Sequence, residues 1–214
     1  MIRLLLIAAG YLFGCIQTSF IYGRKQGVDI REHGSGNAGT TNALRVMGRK
    51  AGIIVFIGDM GKMMLAVGVM LLIFRHLGPE AALMIKLYTG LGVVLGHDFP
   101  FYMDFRGGKG VASTAALILL LDWRMAVMGI ILFFGITILT KIVSLGSCLT
   151  LTAELVLMIV LVLTGRLSPG VMASWEPLAV FGSIVVLSLI RHAENIRRLL
   201  AGKENKLDLF GKKH

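Results

Sequence analysis

The chain has 214 residues, of which 56% are hydrophobic and 16% charged, and its mean hydropathy is +0.79. Soluble domains carry about 25% charged residues, so this composition excludes a disordered chain, a collagen-like repeat and a disulfide scaffold, and argues against a water-soluble globule. A net charge of +10 suggests nucleic acid on a soluble protein. Here the charges lie in gaps between apolar runs, so they point to membrane lipid and anionic substrates and to no nucleic acid.

Met1 to Tyr22 is apolar with a single Arg3 and is followed by further apolar runs. It therefore reads as a retained first span rather than a signal peptide. A helix needs roughly 20 residues to cross the hydrocarbon. Seven candidate segments occur, at about 2–23, 51–74, 79–96, 110–122, 125–140, 144–164 and 172–190. The fourth is short and follows Gly107-Gly108-Lys109-Gly110, as the second half of an interrupted helix does where backbone lines a cavity. Five or six spans result if the fourth and fifth segments merge or one is re-entrant. The expected architecture is all-α, a polytopic membrane helix bundle of about seven transmembrane helices forming a single domain, 1–214. With the N-terminus outside, 16 of the 22 Lys and Arg fall on the inner side, and Arg3, Arg75, Arg124 and Arg166 on the outer. That bias predicts a cytoplasmic C-terminus. Cys15 and Cys148 both sit in apolar runs and read as inert buried thiols.

Three polar segments then fall on the cytoplasmic side. The first, from Asp29 to Arg45, holds Gly34-Ser35-Gly36-Asn37-Ala38-Gly39-Thr40-Thr41-Asn42. Glycines let backbone approach a ligand and expose successive N–H donors, which suits a phosphate. Thr41 or Asn42 is placed to cap a short helix at Ala43-Leu44-Arg45, and Arg45 adds a bidentate fork. A flexible glycine loop with a membrane-flanking arginine is the plainer alternative. Gly34-x-Gly36-x-x-Gly39 matches the dinucleotide pattern but lacks the strand that pattern requires.

The second segment, Gly96 to Thr114, places Gly107-Gly108-Lys109-Gly110 before a helix start, a plausible anion cradle. It is no Walker A motif, since Met103 stands where the first glycine belongs and Gly110 follows the lysine. His97 reads as structural. The third segment, Arg191 to Lys206, puts His192 and Asn195 on one helical face and lets Glu194 pair with Arg198. Between spans five and six, Ser144 in Lys141–Ser147 offers a hydroxyl to a phosphate. Asp59 and Lys62 read as a pair. Lys86 and Glu154 lie within spans, where charge is costly, and have no assigned role.

No HExxH, cysteine–histidine cluster or GxSxG elbow occurs, and the five histidines are scattered. No metal and no cofactor are expected. A His-x4-Asp pair is also missing, because Ala38, Ala81, Tyr102 and Arg197 stand five residues after the histidines that have such a position.

Taken together, Gly34-Ser35-Gly36-Asn37-x-Gly39-x-Thr41-Asn42-x-x-Arg45, Gly96-His97-x-Phe99-Pro100 with Gly107-Gly108-Lys109-Gly110-Val111-Ala112, and Arg191-His192-x-x-Asn195-Ile196-x-Arg198-Leu199 with Gly202 and Glu204 resemble the three motifs of the bacterial integral-membrane glycerol-3-phosphate acyltransferases that use acyl phosphate. The resemblance spans nearly the whole chain. Thr40, Arg106 and Ser113 are mild departures from alanine, lysine and threonine. The resemblance implies a seven-helix bundle in the bacterial plasma (inner) membrane, a monomer with its active site on the cytoplasmic side. The implied reaction moves a long-chain acyl group from acyl phosphate to the 1-hydroxyl of sn-glycerol 3-phosphate, giving lysophosphatidic acid and phosphate in phospholipid biosynthesis.

Under that resemblance Arg45 and Lys109 hold phosphates. Ser35, Asn37, Gly39, Thr41 and Asn42 orient a substrate phosphate or the oxyanion. Gly107, Gly108 and Gly110 cradle the acyl phosphate, and His192 and Asn195 position the glycerol phosphate. Glu204 braces the tail against Arg198. The proton acceptor is a substrate phosphate or His192, and Ser35 as an acylated nucleophile is a third view. The rivals are an organic-anion transporter, against which the lack of an inverted repeat counts, and a non-catalytic lipid-binding scaffold.

Overall fold

The computed structural model describes residues 1–167 and 175–207. Among them there is no β-strand. Nine α-helices follow in order: α1 (Ile2–Gly14), α2 (Thr18–Lys25), α3 (Thr40–Ile73), α4 (Ala82–Asp98), α5 (Val111–Leu121), α6 (Trp123–Thr140), α7 (Val143–Leu163), α8 (Trp175–Arg191) and α9 (Ala193–Leu200). By length and composition α1 with α2, α3, α6 and α7 can each cross a membrane, and α8 with α9 make a fifth candidate bent by 58°. The start of the last expected segment, 172–174, and the tail residues Lys212 and Lys213 counted as inside lie outside the described residues.

The packing of α1 on α4 is set by glycine. Gly10 and Gly14 face Gly92 and Gly96, each pair four residues apart. A Cβ at Gly10 would meet the Thr89 carbonyl oxygen at 2.2 Å, and one at Gly96 would meet that of Tyr11 at 2.1 Å. In lipid no hydrophobic drive separates helix–helix from helix–lipid contact, so close backbone approach through small residues is a main source of association. Around this pair, Met63 and Val67 of α3, Leu87 and Val94 of α4, Leu117 of α5, Met158 of α7 and Phe181 and Ile184 of α8 form one buried core. Helix α6 packs on α5 and α7 from outside and leaves Ile131, Phe134, Ile138 and Leu139 exposed, as a lipid-facing helix does.

Several boundaries differ from the sequence expectation, each for a local reason. The first segment is two helices, because the chain at Gln17 is extended. The second is preceded by a short helix, because α3 is broken at Gly48, with φ 84° and ψ −179°, between the turns that start at Thr40 and the span expected from about residue 51. The short helix expected at Ala43-Leu44-Arg45 is the part of α3 before that break, and its N-cap is Gly39, not Thr41 or Asn42. The fourth and fifth segments stay separate. Asp122 breaks them with φ −158° and caps α6 by accepting from the Arg124 amide at 2.8 Å. Helix α5 is not the second half of a broken helix, because the chain before it folds back on α4: the amides of Gly107 and Gly108 donate to the carbonyls of Asp98 and His97 at 3.1 and 2.9 Å. Lys86 has a structural use, donating to the Leu120 carbonyl at 2.6 Å near the end of α5. Glu154 is buried against Gly129 of α6.

The glycine contact carries a stability test. Gly96→Ala places a methyl against backbone, and overpacking costs about 1–3 kcal/mol. Gly68→Ala in α3 meets nothing within 4 Å and gains about 0.5–1 kcal/mol of helix preference. Thermal unfolding in detergent is expected to fall for the first and hold or rise for the second. Equal midpoints would remove the glycine contact as a packing determinant.

Candidate active site

The first polar segment is held in shape by one amide. Asn42, 2% exposed in the first turn of α3, accepts from the Ser35 backbone N–H at 2.9 Å and donates to the carbonyls of Ile30 and His33 at 3.2 and 3.0 Å. A Cβ on Gly34, whose φ is +63°, would lie 2.3 Å from Asn42 Oδ1. Ser19 donates to the Ala38 carbonyl at 2.6 Å from the other side. Asp29 caps the turn Ile30–Glu32 and pairs with Arg31 at 2.8 Å. Arg31's hydrogen bonds hold the Asp29 carboxyl down to about 2. Ser35 and Arg45 are exposed, and Thr41 and Arg45 lie four residues apart on one helical face.

The second segment sits on the end of α4. Gln17, fully buried, donates to the His97 carbonyl at 2.9 Å, and Tyr11 and Tyr102 tie the loop to α1 through the carbonyls of Phe99 and Cys15 at 2.8 and 2.6 Å. A Cβ at Gly107 would meet the His97 carbonyl at 2.0 Å, and one at Gly108 would meet His97 Nε2 at 1.9 Å. Gly110 has φ +68°, a left-handed conformation that glycine adopts freely. Gly107 and Gly110 are required by the backbone path, and Gly108 by the His97 ring packed against it.

The third segment closes over the second. Arg191 donates to the carbonyls of Gly108 and Gly107 at 3.1 and 3.4 Å and lies over the Phe99 ring at 5.2 Å. Ser188 donates to the Lys109 carbonyl at 3.2 Å. Lys109 Nζ donates to Asn195 Oδ1. Asn195 in turn donates to Glu204 at 2.7 Å, and Arg198 donates to the other Glu204 oxygen at 2.9 Å. Asn37 links the first loop to this cluster, donating to the Gly107 carbonyl at 3.4 Å.

Burial and the nearby Arg198 lower Lys109 to about 8. His192, just past α8, is lowered to about 4, by burial first and by Lys109 second, so it is neutral at pH 7. Its Nδ1 lies 2.8 Å from the Ser188 carbonyl, which accepts only, so Nδ1 carries the proton and Nε2 the lone pair.

Three expected segments therefore meet in one hydrogen-bonded cluster around Lys109. Their parts differ from the simplest reading. The amides of Asn42 and Asn195 bond to protein, the first shaping the glycine loop and the second presenting Lys109. Arg191 braces the cradle carbonyls. Ser144 is buried at the start of α7, and its hydroxyl has no partner among the described residues. Glu194 reaches Arg198 only at 3.9 Å and is largely exposed. Sequence reading missed Gln17, Tyr11 and Tyr102, which carry the loop. A glutamine inside an apolar run was the available signal, because such a residue needs a partner there.

Comparison with known proteins gives the family of the chain. A family model described as glycerol-3-phosphate acyltransferase matches residues 4–202. A glycerol-3-phosphate acyltransferase of Halalkalibacterium halodurans is 40% identical over 211 residues, covering 95% of this chain and 94% of that one. Glycerol-3-phosphate acyltransferase 2 of Thermotoga maritima is 39% identical over 202 residues, covering 94% of each. The crystal structure of PlsY (YgiH), an integral membrane glycerol 3-phosphate acyltransferase, in its glycerol 3-phosphate form superposes with a TM-score of 0.82 at 30% identity, covering 99% of this chain and 100% of that one. A second form of that protein, with lysophosphatidic acid, gives 0.79, also at 30% identity, covering 97% and 96%. By its motifs, its helical architecture and its likeness along nearly the full length, the chain belongs to the glycerol-3-phosphate acyltransferase family.

Proposed function

We propose that this protein acylates sn-glycerol 3-phosphate at its 1-hydroxyl, with a long-chain acyl phosphate as donor and lysophosphatidic acid and inorganic phosphate as products. The observation that carries the reading is the cluster itself. Two glycine-rich loops and a basic helix end are bonded together around Lys109 at one end of an otherwise apolar bundle. Both substrates carry phosphate, one is soluble and one is greasy, so the reaction belongs at a membrane surface. The protein works as a monomer in the bacterial inner membrane. Its seven apolar segments cross it with the N-terminus outside, and the cluster faces the cytoplasm, in keeping with the positive-inside bias.

The chemistry asks for positioning and charge rather than a strong base. The glycerol 1-oxygen attacks the acyl carbonyl carbon. The bond from that carbon to the phosphate oxygen breaks, and inorganic phosphate leaves with the electron pair. Lys109 and Arg45 hold the phosphates, and the N–H groups of Lys109 and Gly110 and those at the start of α3 serve the developing charge, the Gly107 and Gly108 amides being spent on the carbonyls of Asp98 and His97. Ser35, Asn37, Thr41 and Ser144 orient the phosphates, and Gly39 lets the backbone close on them. The hydroxyl proton passes to a substrate phosphate. A phosphate with a pKa of about 6 is a stronger base than His192 at about 4. His192 instead positions the glycerol phosphate through Nε2.

Purified protein in detergent is assayed with labelled glycerol 3-phosphate and palmitoyl phosphate, and separately with palmitoyl-CoA, without added metal. Lysophosphatidic acid is expected from the phosphate donor alone. No product from either donor, in folded protein, would reject the acyltransferase reading and favour an anion transporter.

Lys109 gives a pH signature. It is charged below about 8 and neutral above, so kcat/KM is expected to fall by about tenfold per unit above that pH. A profile flat well past it rejects Lys109 as the phosphate-holding cation. For His192→Ala the expected result is a higher KM for glycerol 3-phosphate, and near-normal kinetics would remove its positioning role.

A further inference from the structure

Beneath the cradle lies a cluster of three ionisable side chains that has no part in the chemistry above. Asp59 and Lys62, one turn apart on α3, and His97, near the end of α4, are 2%, 4% and 3% exposed. Lys62 Nζ lies 3.0 Å from Asp59 Oδ1, 2.7 Å from His97 Nδ1 and 2.9 Å from the Ile16 carbonyl. The ammonium donates to His97 Nδ1 and to the Ile16 carbonyl and forms an ion pair with Asp59 Oδ1, which also lies 3.6 Å from His97 Nδ1. Placing an ammonium within an apolar span costs about 2.5–3.5 kcal/mol on insertion scales. Asp59 and the two further acceptors offset that cost here.

The consequence reaches His97. Because Lys62 donates to Nδ1, the ring proton sits on Nε2, and the ring has one orientation. Nε2 faces Gly108, with only 1.9 Å to the position of a Cβ there. The His97 carbonyl accepts from the Gly108 N–H at 2.9 Å. One residue thus touches the cradle with both its ring and its backbone. Asp59 adds a second attachment, its carbonyl accepting from Ser113 in the first turn of α5 at 3.1 Å.

We propose that Asp59, Lys62 and His97 form a positioning triad for the Gly107–Gly110 cradle. Asp59 holds Lys62, Lys62 fixes residue 97 through Nδ1, and residue 97 fixes the height of the Gly108 backbone on which a substrate phosphate is seated. No proton moves through it. The inference rests on the cradle reading given above, and its test measures anion binding apart from turnover so that the two can fail separately.

The full-length protein in detergent is used in three forms besides wild type. The double variant D59N/K62M removes both charges together, leaving no lone buried ion. His97→Asn keeps an acceptor oxygen where Nδ1 stands, and His97→Leu does not. Affinity for inorganic phosphate and for glycerol 3-phosphate is measured by titration calorimetry, with kcat and KM from the transfer assay and unfolding midpoints alongside. The double variant and His97→Leu are expected to bind phosphate about ten- to a hundredfold more weakly, as loss of supporting hydrogen bonds does at other sites. Midpoints are expected to stay within a few degrees, and His97→Asn to recover most of the affinity.

Wild-type affinity in both His97→Leu and the double variant overturns the triad. So does His97→Asn falling as far as His97→Leu, since the ring itself would then be what matters. Should the double variant not fold, the two His97 variants decide the question alone. Absence of product from acyl phosphate in wild type counts against the functional reading, while the phosphate affinities still judge the triad.

Discussion

The close backbone contact between α1 and α4 is the constraint on which the rest of the site depends. Four glycines let the two helices touch at the level of their peptide groups. This brings Gln17, just past α1, under the carbonyl of His97 and sets Tyr11 against that of Phe99. The end of α4 is thereby fixed, and the loop from Phe99 to Gly110 folds back onto it. A single Cβ at the contact would lift α1 from α4 and take the cradle's floor with it.

Above that floor the protein assembles positive potential from dissimilar parts. Lys109 is held by a neutral amide rather than a carboxylate, so its charge stays available to an anion. Glu204 is drawn away from it by Arg198 and by the far side of Asn195. Arg191 is turned toward the cradle carbonyls, which would otherwise repel a phosphate. The proposed acyl-phosphate donor, with phosphate as a good leaving group, would need little more than this.

Much of the architecture is legible in the sequence because hydrocarbon is an exacting solvent. The apolar segments correspond to α1, α3, α4, α5, α6, α7 and α8, and Asp59 and Lys62 do pair. What sequence reading missed is of two kinds. Helix ends are decided by single residues in three dimensions, as Gly48 and Asp122 show. A polar side chain also does not declare its partner. Asn42 and Asn195 read equally well as ligands or as scaffolding, since an amide both donates and accepts, and only the fold shows Ser35 N–H and Lys109 beside them. The two GxxxG pairs, Gly10 to Gly14 and Gly92 to Gly96, are sequence signals of helix contact, but they do not stand out among 27 glycines.

The shaping of the first loop by Asn42 has an entropic consequence. A segment with glycines at 34, 36 and 39 is among the most expensive to immobilise, because glycine loses more backbone freedom than any other residue. Were that cost met only when substrate arrives, it would be subtracted from binding. With Asn42 and Ser19 holding the loop through the fold's own hydrogen bonds, the loss is borne during folding, so in the proposed role of this loop the interaction energy of a phosphate would be left for the transition state.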